Sequence, residues 1–324
     1  MAATPISFRF SNLTDSLIAA WMPFVTAAVL ALGSMAASAA AVDSQASSYR
    51  ELAVEVIGNG RPLVMIPGLN SAADTWRETC AALQPEVQCH LLQLPGFAGQ
   101  PPAQQAIEGD AFLDAMRDRV LAYVDELGLR SPVVIGHSLG GLLALKMALK
   151  SPKAFSRLII VDSLPFFPAA QNPAATVASV TPMAEGMRQS MQAADDESFF
   201  RNAPAALAGM SRSPERVKTL AEWGRASDRA TTTQAMYELM TTDLRADIKA
   251  IHTPTLVLGA WAAYAPYGST RESTEAIFRS QYAALDGVRI EMSETGYHFL
   301  MWDDPQWLQS QVRAFLSTDT QTGK

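Results

Sequence analysis

The feature that most restricts the fold is a series of six short apolar runs separated by segments of helical spacing. A continuous apolar run of five or six residues, bounded by turn residues, indicates a strand buried on both faces. Such strands alternating with helices predict a mostly parallel sheet covered by helices on both sides. Residues 49–58 alternate between apolar and polar and are typical of an edge strand. The six runs occupy residues 61–67, 89–95, 131–136, 157–162, 254–259 and 288–293.

The segments between the runs predict helices, and one of these segments is unusually long. In residues 110–127 the apolar side chains recur at helical spacing and stop at Gly128. Residues 163–250 are rich in Ala, Met and Pro, and they predict several short helices inserted above the carboxyl edge of the sheet, where open α/β sheets bind ligands. The other predicted helices cover residues 75–83, 142–149, 271–284 and 305–315.

The methionines of this long segment allow two interpretations. Six of the 14 methionines lie in it, and flexible thioether side chains suit an adaptable apolar pocket. They also suit the core of the inserted segment itself. The six are Met183, Met187, Met191, Met210, Met236 and Met240.

Composition excludes several classes of function. The 324 residues are 48% apolar and 18% charged, which is enough for one large domain or one domain with an inserted lobe. The net charge of −7 comes with no basic run, so the clustered cationic surface of a nucleic-acid-binding protein is not expected. Two cysteines and four scattered histidines predict neither a disulfide scaffold nor a metal site.

The first 41 residues predict a targeting segment. They contain only two charged side chains, Arg9 and Asp15, and residues 17–37 are almost wholly apolar. Small residues follow, which is typical of a secretory signal cleaved between Ala39 and Ala41. The alternative is an uncleaved anchor, since about 20 apolar residues also span a bilayer. Both alternatives predict that the rest of the chain is exported to the periplasm or secreted.

Export affects the interpretation of the two cysteines. In an oxidising compartment, Cys80 and Cys89 can pair and close a short loop between a helix and the next strand. The alternative is a pair of buried thiols, because cysteine is a common core residue.

One sequence motif indicates a catalytic residue. Residues 136–141 read Gly-His-Ser-Leu-Gly-Gly and lie between a predicted strand and a predicted helix. A G-x-S-x-G sequence in that context predicts a sharp turn that exposes Ser138 as a nucleophile. The helix that follows points its N–H groups and the positive end of its dipole at the reacting group. The alternative is a tight turn with an incidental serine.

Several stretches in addition to this motif resemble the α/β-hydrolase fold superfamily, in its serine-nucleophile, esterase- and lipase-like branch. They run in family order over nearly all of the chain after the signal. The resemblance implies an eight-stranded, mostly parallel sheet formed by residues 49–162 and 251–316. It also implies a helical lid after the family's sixth strand, at residues 163–250. The matching stretches are residues 64–76, 91–100, 133–141, 253–260 and 296–305.

A serine nucleophile needs a base, and four histidines are available. His90 starts a predicted strand and His252 precedes one, so both are expected at the opposite edge of the sheet. His137 adjoins Ser138, but the turn is expected to aim its ring away. His298 follows a strand and comes last, as the family's base does. We therefore predict that His298 is the base; the alternative is a histidine of a surface loop.

The oxyanion hole is expected to be formed by backbone. The N–H of Leu139, directly after Ser138, is one predicted donor. The other is the N–H of Leu69, in the turn after the first buried strand. Pro67 stands where many relatives carry a histidine, which does not affect a backbone donor.

The third member of the triad departs from the family's usual pattern. Relatives place an aspartate shortly after the seventh strand, but the stretch that begins at Gly259 here has no carboxylate before residue 265. A second placement in the family, after the sixth strand, is occupied by Asp162. From there a carboxylate can hold the ring of His298 and stabilise the imidazolium. The alternative is an aspartate that only caps the entrance to the lobe.

Other arrangements of the acid remain open. Glu272 and Glu275 are alternative carboxylates, and a Ser-His dyad or a degenerate site is a further possibility. Asp303 and Asp304 follow His298 too closely for an obvious triad and are expected to cap the last helix.

The sequence thus predicts an exported serine hydrolase that acts on a carboxylic ester of a small-molecule acyl substrate. Neither a metal nor an organic cofactor is implied, and no nucleic acid or stable protein partner is expected. Lactone opening, acyl transfer and C–C bond hydrolysis use the same residues and are alternatives. A ligand-binding protein that retains the fold without useful turnover is another alternative, motivated by the missing carboxylate after Gly259.

Overall fold

A computed structural model describes residues 52–103, 112–201 and 207–318 of the chain. In this part of the chain the strands are β1 Ala53–Ile57, β2 Arg61–Ile66, β3 Val87–Gln93, β4 Val133–His137, β5 Arg157–Val161, β6 Thr255–Gly259 and β7 Arg289–Met292. The helices are α1 Arg77–Ala82, α2 Phe112–Glu126, α3 Leu139–Lys150, α4 Val177–Ala193, α5 Asp196–Arg201, α6 Pro214–Ala226, α7 Arg229–Thr241, α8 Arg271–Gln281, α9 Leu300–Asp303 and α10 Pro305–Ser317. Each of the six apolar runs forms a strand, and residues 53–57 form the predicted edge strand.

The strands form one sheet in the order β1-β3-β2-β4-β5-β6-β7. Edge strand β1 pairs antiparallel with β3, and every other pair is parallel. This confirms the mostly parallel sheet. The resemblance implied eight strands, whereas the described residues form seven. The chain before Leu52 lies outside the described residues.

Both faces of the sheet are covered, which explains why its strands read as continuous apolar runs. Alternate residues of β2 point to opposite sides. Val64 and Ile66 pack with side chains of α2 and α3 on one face. Leu63 and Met65 pack with side chains of α1 and α10 on the other. A strand that is buried on both faces has no position at which a polar residue is preferred.

A disulfide joins Cys80 of α1 to Cys89 of β3. The alternative of two buried thiols is therefore wrong for this structure. Both residues are fully buried, on the face of the sheet that α1 and α10 cover. The bond fixes α1 to the strand that follows it.

Residues 163–250 connect β5 to β6 and are called here the insertion. They contain α4 to α7, so helices are present as predicted. They are not all short, because α4 has 17 residues and is the longest helix of the described residues. Three of these helices begin with a side-chain cap: Thr176 for α4, Ser213 for α6 and Asp228 for α7. The insertion's role as a lid stays a prediction.

The insertion's methionines do not share one environment. Met183 is 60% exposed, whereas Met240 is buried. Met210 packs against the core on the side of α1 and α10. These three methionines therefore lie in different environments.

Several predictions lie wholly or partly outside the described residues. The signal or anchor at residues 1–41 lies wholly outside. Residues 49–51 of the predicted edge strand, 110–111 of the predicted helix 110–127 and 202–206 of the insertion also lie outside. Within the described ranges, none of the helices has the length and apolar character needed to cross a membrane.

Candidate active site

Ser138 occupies the sharp turn between β4 and α3. Its backbone is in a left-handed region, with φ 53° and ψ −119°, which is rare for a residue with a side chain. Its N–H donates to the carbonyl of Val161 at 2.9 Å. The glycines on either side allow the turn, since a Cβ at Gly136 would lie 2.2 Å from the carbonyl oxygen of Gly140. A strained backbone conformation is a common property of functional sites.

Asp162 and His298 are hydrogen-bonded to each other. Asp162 directly follows β5, and His298 lies in the loop after β7. The Nδ1 atom of His298 lies 2.6 Å from Oδ2 of Asp162, and the two side chains are 19% and 9% exposed. The other carboxylate oxygen accepts the N–H of Ala260 at 2.8 Å. The carboxylate thus has two fixed partners, one of which is the ring.

The alternative acids have other partners or positions. Glu275 pairs with Arg271 and Arg279 of its own helix. Glu272 is exposed in the first turn of α8. Asp162 is therefore the carboxylate that the structure brings to His298.

Two tyrosines lie within the electrostatic influence of Asp162. The buried hydroxyl of Tyr282 donates to the carbonyl of Ser163 at 2.8 Å. Burial, and then the negative charge of Asp162, raises the pKa of Tyr282 well above its ordinary value. Partial burial, and then the charge of Asp162, also raises the pKa of Tyr264, whose side chain is half-exposed. Both phenols therefore stay neutral beside the carboxylate.

His137 contacts His298, which the sequence did not predict. Its ring is fully buried, and its centroid lies 4.5 Å from that of His298. Its Nε2 atom lies 3.0 Å from the backbone carbonyl of His298. Burial, and then the positive charge that His298 carries when protonated, holds the pKa of His137 well below its usual value. A neutral ring facing a carbonyl carries its proton on Nε2, so His137 donates to the loop that holds His298.

The remaining two histidines, His90 and His252, lie in β3 and just before β6. His252 is exposed before β6, as expected. His90, however, is the fourth residue of β3 and not its first, and it is buried. Its Nδ1 atom lies 2.6 Å from the hydroxyl oxygen of Tyr123, and burial lowers its pKa.

Two backbone segments flank Ser138. Leu139 is the first residue of α3, so its N–H has no partner within the helix. Leu69 lies in the loop after β2, beside Gly68. A Cβ at Gly68 would lie 3.2 Å from Cβ of Ser138, which shows how closely this loop approaches the serine. This arrangement is compatible with the predicted oxyanion donors, whose role stays a prediction.

The capping role expected of Asp303 and Asp304 is wrong. Asp304 occupies the position before α10, but its side chain makes no cap hydrogen bond. Its carboxylate instead accepts a hydrogen bond from the hydroxyl of Ser293 at 2.6 Å. Asp303 accepts from the hydroxyl of Ser211 at 2.7 Å and from the N–H of Tyr297 at 3.1 Å. Both carboxylates hold the loop around His298 in place.

The insertion contacts the loops at the carboxyl edge of the sheet. The N–H of Asp228 donates to the carbonyl of Gly96 at 2.7 Å, after β3. The N–H of Phe299 donates to the carbonyl of Met210 at 3.0 Å, beside His298. The described residues include no group of three or more His, Cys, Asp or Glu side chains that could hold a metal ion.

A family model described as the alpha/beta hydrolase family matches residues 63–309. The chain belongs to that family. The sheet order, the turn at Ser138 and the position of the insertion agree with this assignment.

Particular relatives are similar over part of their length. A pimeloyl-acyl-carrier-protein methyl ester esterase of Vibrio campbellii is 36% identical over 116 residues, which are 36% of this chain and 42% of that protein. The esterase of the same name from Vibrio cholerae is 33% identical over 115 residues, again 36% of this chain and 42% of that protein. The match thus spans less than half of these curated relatives.

Solved structures are similar over most of the chain. An enol-lactonase from Burkholderia xenovorans gives a TM-score of 0.66 at 18% identity, over 82% of this chain and 96% of that one. An esterase from Exiguobacterium antarcticum gives 0.66 at 19% identity, with the same coverage of 82% and 96%. At this identity the similarity establishes the fold.

Proposed function

We propose that this protein is an exported serine hydrolase that cleaves a carboxylic ester. In this proposal Ser138 attacks the acyl carbon while His298 takes the serine proton. His298 then gives that proton to the alcohol that leaves, and Asp162 orients His298. The N–H groups of Leu69 and Leu139 hold the oxyanion. Water then releases the acyl group from the serine.

The observation that carries the proposal is the hydrogen bond between His298 and Asp162. A carboxylate accepts hydrogen bonds, so the ring proton of His298 sits on Nδ1. This leaves Nε2 as the basic atom. Ser138, Asp162 and His298 follow parallel strands β4, β5 and β7, whose carboxyl ends share one edge of the sheet.

The contacts of His137 support the same assignment. His137 precedes Ser138 in the chain and donates to the backbone of His298, which brings the serine turn and the histidine loop together. The alternative of a ligand-binding protein without turnover rested on the missing carboxylate after Gly259. Asp162 supplies a carboxylate to the ring of His298, so this reason for the alternative no longer applies.

Ester hydrolysis is favoured over the other reactions of the fold by the curated relatives. The Vibrio proteins are named methyl ester esterases, and over their matched residues they are 36% and 33% identical to this chain, against 18% for the enol-lactonase. The enol-lactonase is similar in fold alone. We therefore place esters of carboxylic acids first and lactones second among the substrates to be tested.

Export is supported by two independent observations. The first is the apolar N-terminal sequence followed by small residues. The second is the disulfide between Cys80 and Cys89, a bond typical of oxidising compartments. Fractionation of cells that express the full chain, with N-terminal sequencing of the exported protein, tests this part. Recovery of an intact N-terminus in the cytoplasm would contradict it.

A panel of p-nitrophenyl esters of increasing acyl length tests the activity. We expect turnover of at least one ester by the wild-type protein, and a loss of about 10⁶-fold in kcat for Ser138→Ala, as in other serine hydrolases stripped of the nucleophile. Equal turnover by both proteins would contradict the proposal. The acyl length at which kcat/KM peaks gives the size of the acyl site.

A further inference from the structure

The loop that contains Leu69 is fixed at both ends. On one side, Gly68 packs against Ser138 so closely that a Cβ there would lie 3.2 Å from the serine Cβ. On the other side, Asn70 has a left-handed backbone with φ 55°. Asparagine tolerates this conformation better than most residues. Leu69 therefore lies between a residue held by the serine turn and a residue with a specific backbone conformation.

The side chain of Asn70 is bound by the insertion. The hydroxyl of Thr232, on α7, donates to Oδ1 of Asn70 at 2.7 Å. The carbonyl of Asp228, one turn earlier in the helix, lies 2.8 Å from the same hydroxyl oxygen, so the single hydroxyl proton is shared between the two acceptors. Thr232 is buried, so water competes little for this hydrogen bond. The two residues are 162 positions apart in the sequence.

The insertion is firmly held where it carries Thr232. The side chain of Asp228 caps α7 by accepting the N–H of Thr231 at 2.7 Å. The carboxylate of Glu238, two turns further on, accepts the N–H groups of Phe112 and Leu113 at 2.6 and 2.7 Å. Helix α7 is thus attached to the loop after β3 and to α2, which makes it a rigid support for Asn70.

From these contacts we infer that Asn70 and Thr232 are positioning residues that set the direction of the Leu69 N–H toward the oxyanion. Neither residue touches the reacting atoms; Thr232 acts through Asn70, and Asn70 acts through the backbone of Leu69. An oxyanion donor stabilises the transition state only when it points at the oxygen that becomes charged. This inference rests on the proposed function and adds the insertion to the parts of the protein that determine kcat.

Thr233 provides a matched control on the same helix. It is fully buried, and its hydroxyl has no hydrogen-bond partner among the described residues. Thr232→Val and Thr233→Val therefore make the same chemical change at adjacent buried positions, and only the first removes the bond to Asn70. Thr232→Ser keeps the hydroxyl and serves as the conservative variant.

The experiment measures kcat and KM with the best p-nitrophenyl ester, together with the inhibition constant of an alkylboronic acid. The boronic acid forms a tetrahedral, negatively charged adduct with a serine oxygen and so reports on the oxyanion site. We expect Thr232→Val to lower kcat about tenfold, less than the 10²–10³-fold lost when a donor is removed outright. KM is expected to change less than twofold, and boronate binding is expected to weaken by the same factor as kcat. Thr232→Ser and Thr233→Val are expected to match the wild type.

The double variant tests whether the two residues act through one bond. Asn70→Gly removes the side chain while allowing the left-handed backbone. It is expected to lower kcat as Thr232→Val does, and the double variant is expected to be no less active than the less active single variant. Asn70→Gly also decides the question if Thr232→Val does not fold. Equal kcat for Thr232→Val and Thr233→Val, a loss confined to KM, or unchanged boronate binding would overturn the inference. A wild-type protein without turnover would instead overturn the proposed function, and the inference with it.

Discussion

The strands at the centre of the sheet bury every residue, whereas most helices of the insertion bury very few. Strands β4, β5 and β6 are buried along their whole length. Helix α4 has 17 residues and buries only Val180 and Ala184, and α6 buries only Leu220. The sheet is therefore stabilised by continuous apolar packing. The insertion depends far more on individual polar contacts with the sheet's loops.

Helix α7 is the exception within the insertion, because it buries residues along most of its length. Several of these are polar, including Thr231, Thr232 and Glu238. Most buried polar groups have hydrogen-bond partners, and these three have partners in different places. Thr232 binds the loop after β2, Glu238 binds the start of α2, and Thr231 binds the residue that caps α7 itself. The comparison suggests that the sheet supplies the chemical groups and that α7 fixes the loops around them. The predictions that follow test this division.

The largest expected effect comes from Asp162 at the end of β5. We expect Asp162→Asn to fold normally and to lower kcat by about 10⁴-fold, because the histidine loses the carboxylate that orients it and stabilises its charged form. Steady-state kinetics and a thermal melt measure the two properties. Glu275→Gln, which changes the alternative carboxylate in α8, is the control and is expected to keep kcat within about twofold. Near-normal turnover in Asp162→Asn would mean that the acid lies elsewhere.

The second prediction concerns His137, where the serine turn meets the histidine loop. His137→Phe keeps an aromatic ring in tilted contact with His298 but removes the donor to the carbonyl of His298. We expect a loss of about 10- to 100-fold in kcat through misplacement of His298. His137→Gln retains an N–H donor and is expected to recover most of that loss. If both variants behave alike, the hydrogen bond has no part in positioning His298.

The third prediction is a loss of stability with little change in turnover. Glu238→Ala removes the carboxylate that accepts two N–H groups at the start of α2. We expect a loss of about 1–2 kcal/mol in the free energy of unfolding, as for other helix caps. The kcat should fall by less than about threefold, because Asp228 still attaches the start of α7, where Thr232 lies, to the loop after β3. Urea denaturation measures the first quantity. Glu222→Ala, on the exposed face of α6, is the control and is expected to change stability by less than about 0.5 kcal/mol.

The smallest expected effect is a dependence of stability on pH. Burial holds the pKa values of His90 and His137 below their ordinary value, which is about 6.5 in an unfolded chain. Below that pH the unfolded chain binds protons that the folded chain does not. The stability is therefore fully present above about pH 6.5 and is lost as the pH falls toward the folded values.

Thermal melts between pH 7 and pH 5 test this expectation in a range where most carboxylates stay ionised. The wild-type melting temperature should fall across the range, and His90→Gln should flatten the fall. His252→Gln changes an exposed histidine and should leave the slope unchanged. A wild-type melting temperature that is constant from pH 7 to pH 5 would contradict the burial of two neutral histidines.

The two regions also differ in how far they could be predicted from the sequence. All six buried strands were predicted within about two residues, because an apolar run ended by turn residues carries the information locally. Ser138 was singled out by the G-x-S-x-G motif between a strand and a helix. His298 was singled out by its place after the last strand, and both His298 and Asp162 by the positions that the family resemblance implies. The bond between Asp162 and His298 remained one of several alternatives, since the family's usual acid position is empty here.

The contacts that position these residues could not be predicted. His137 and His298 are 161 positions apart, and Glu238 and Phe112 are 126 apart. The residue types are ordinary, and no local pattern distinguishes Thr232, which binds Asn70, from Thr233, which does not. Such pairs depend on how α7 lies on the loops, and that follows from the packing of the whole chain.

Covalent labelling with a fluorophosphonate tests the central claim most directly. The protein is labelled, digested with trypsin and mapped by mass spectrometry. An activated serine at the turn predicts one label on the peptide of residues 131–146, on Ser138, with none in Ser138→Ala and a much slower reaction in Asp162→Asn. A folded wild-type protein that takes up no label, or takes it up equally fast in Asp162→Asn, would contradict the account.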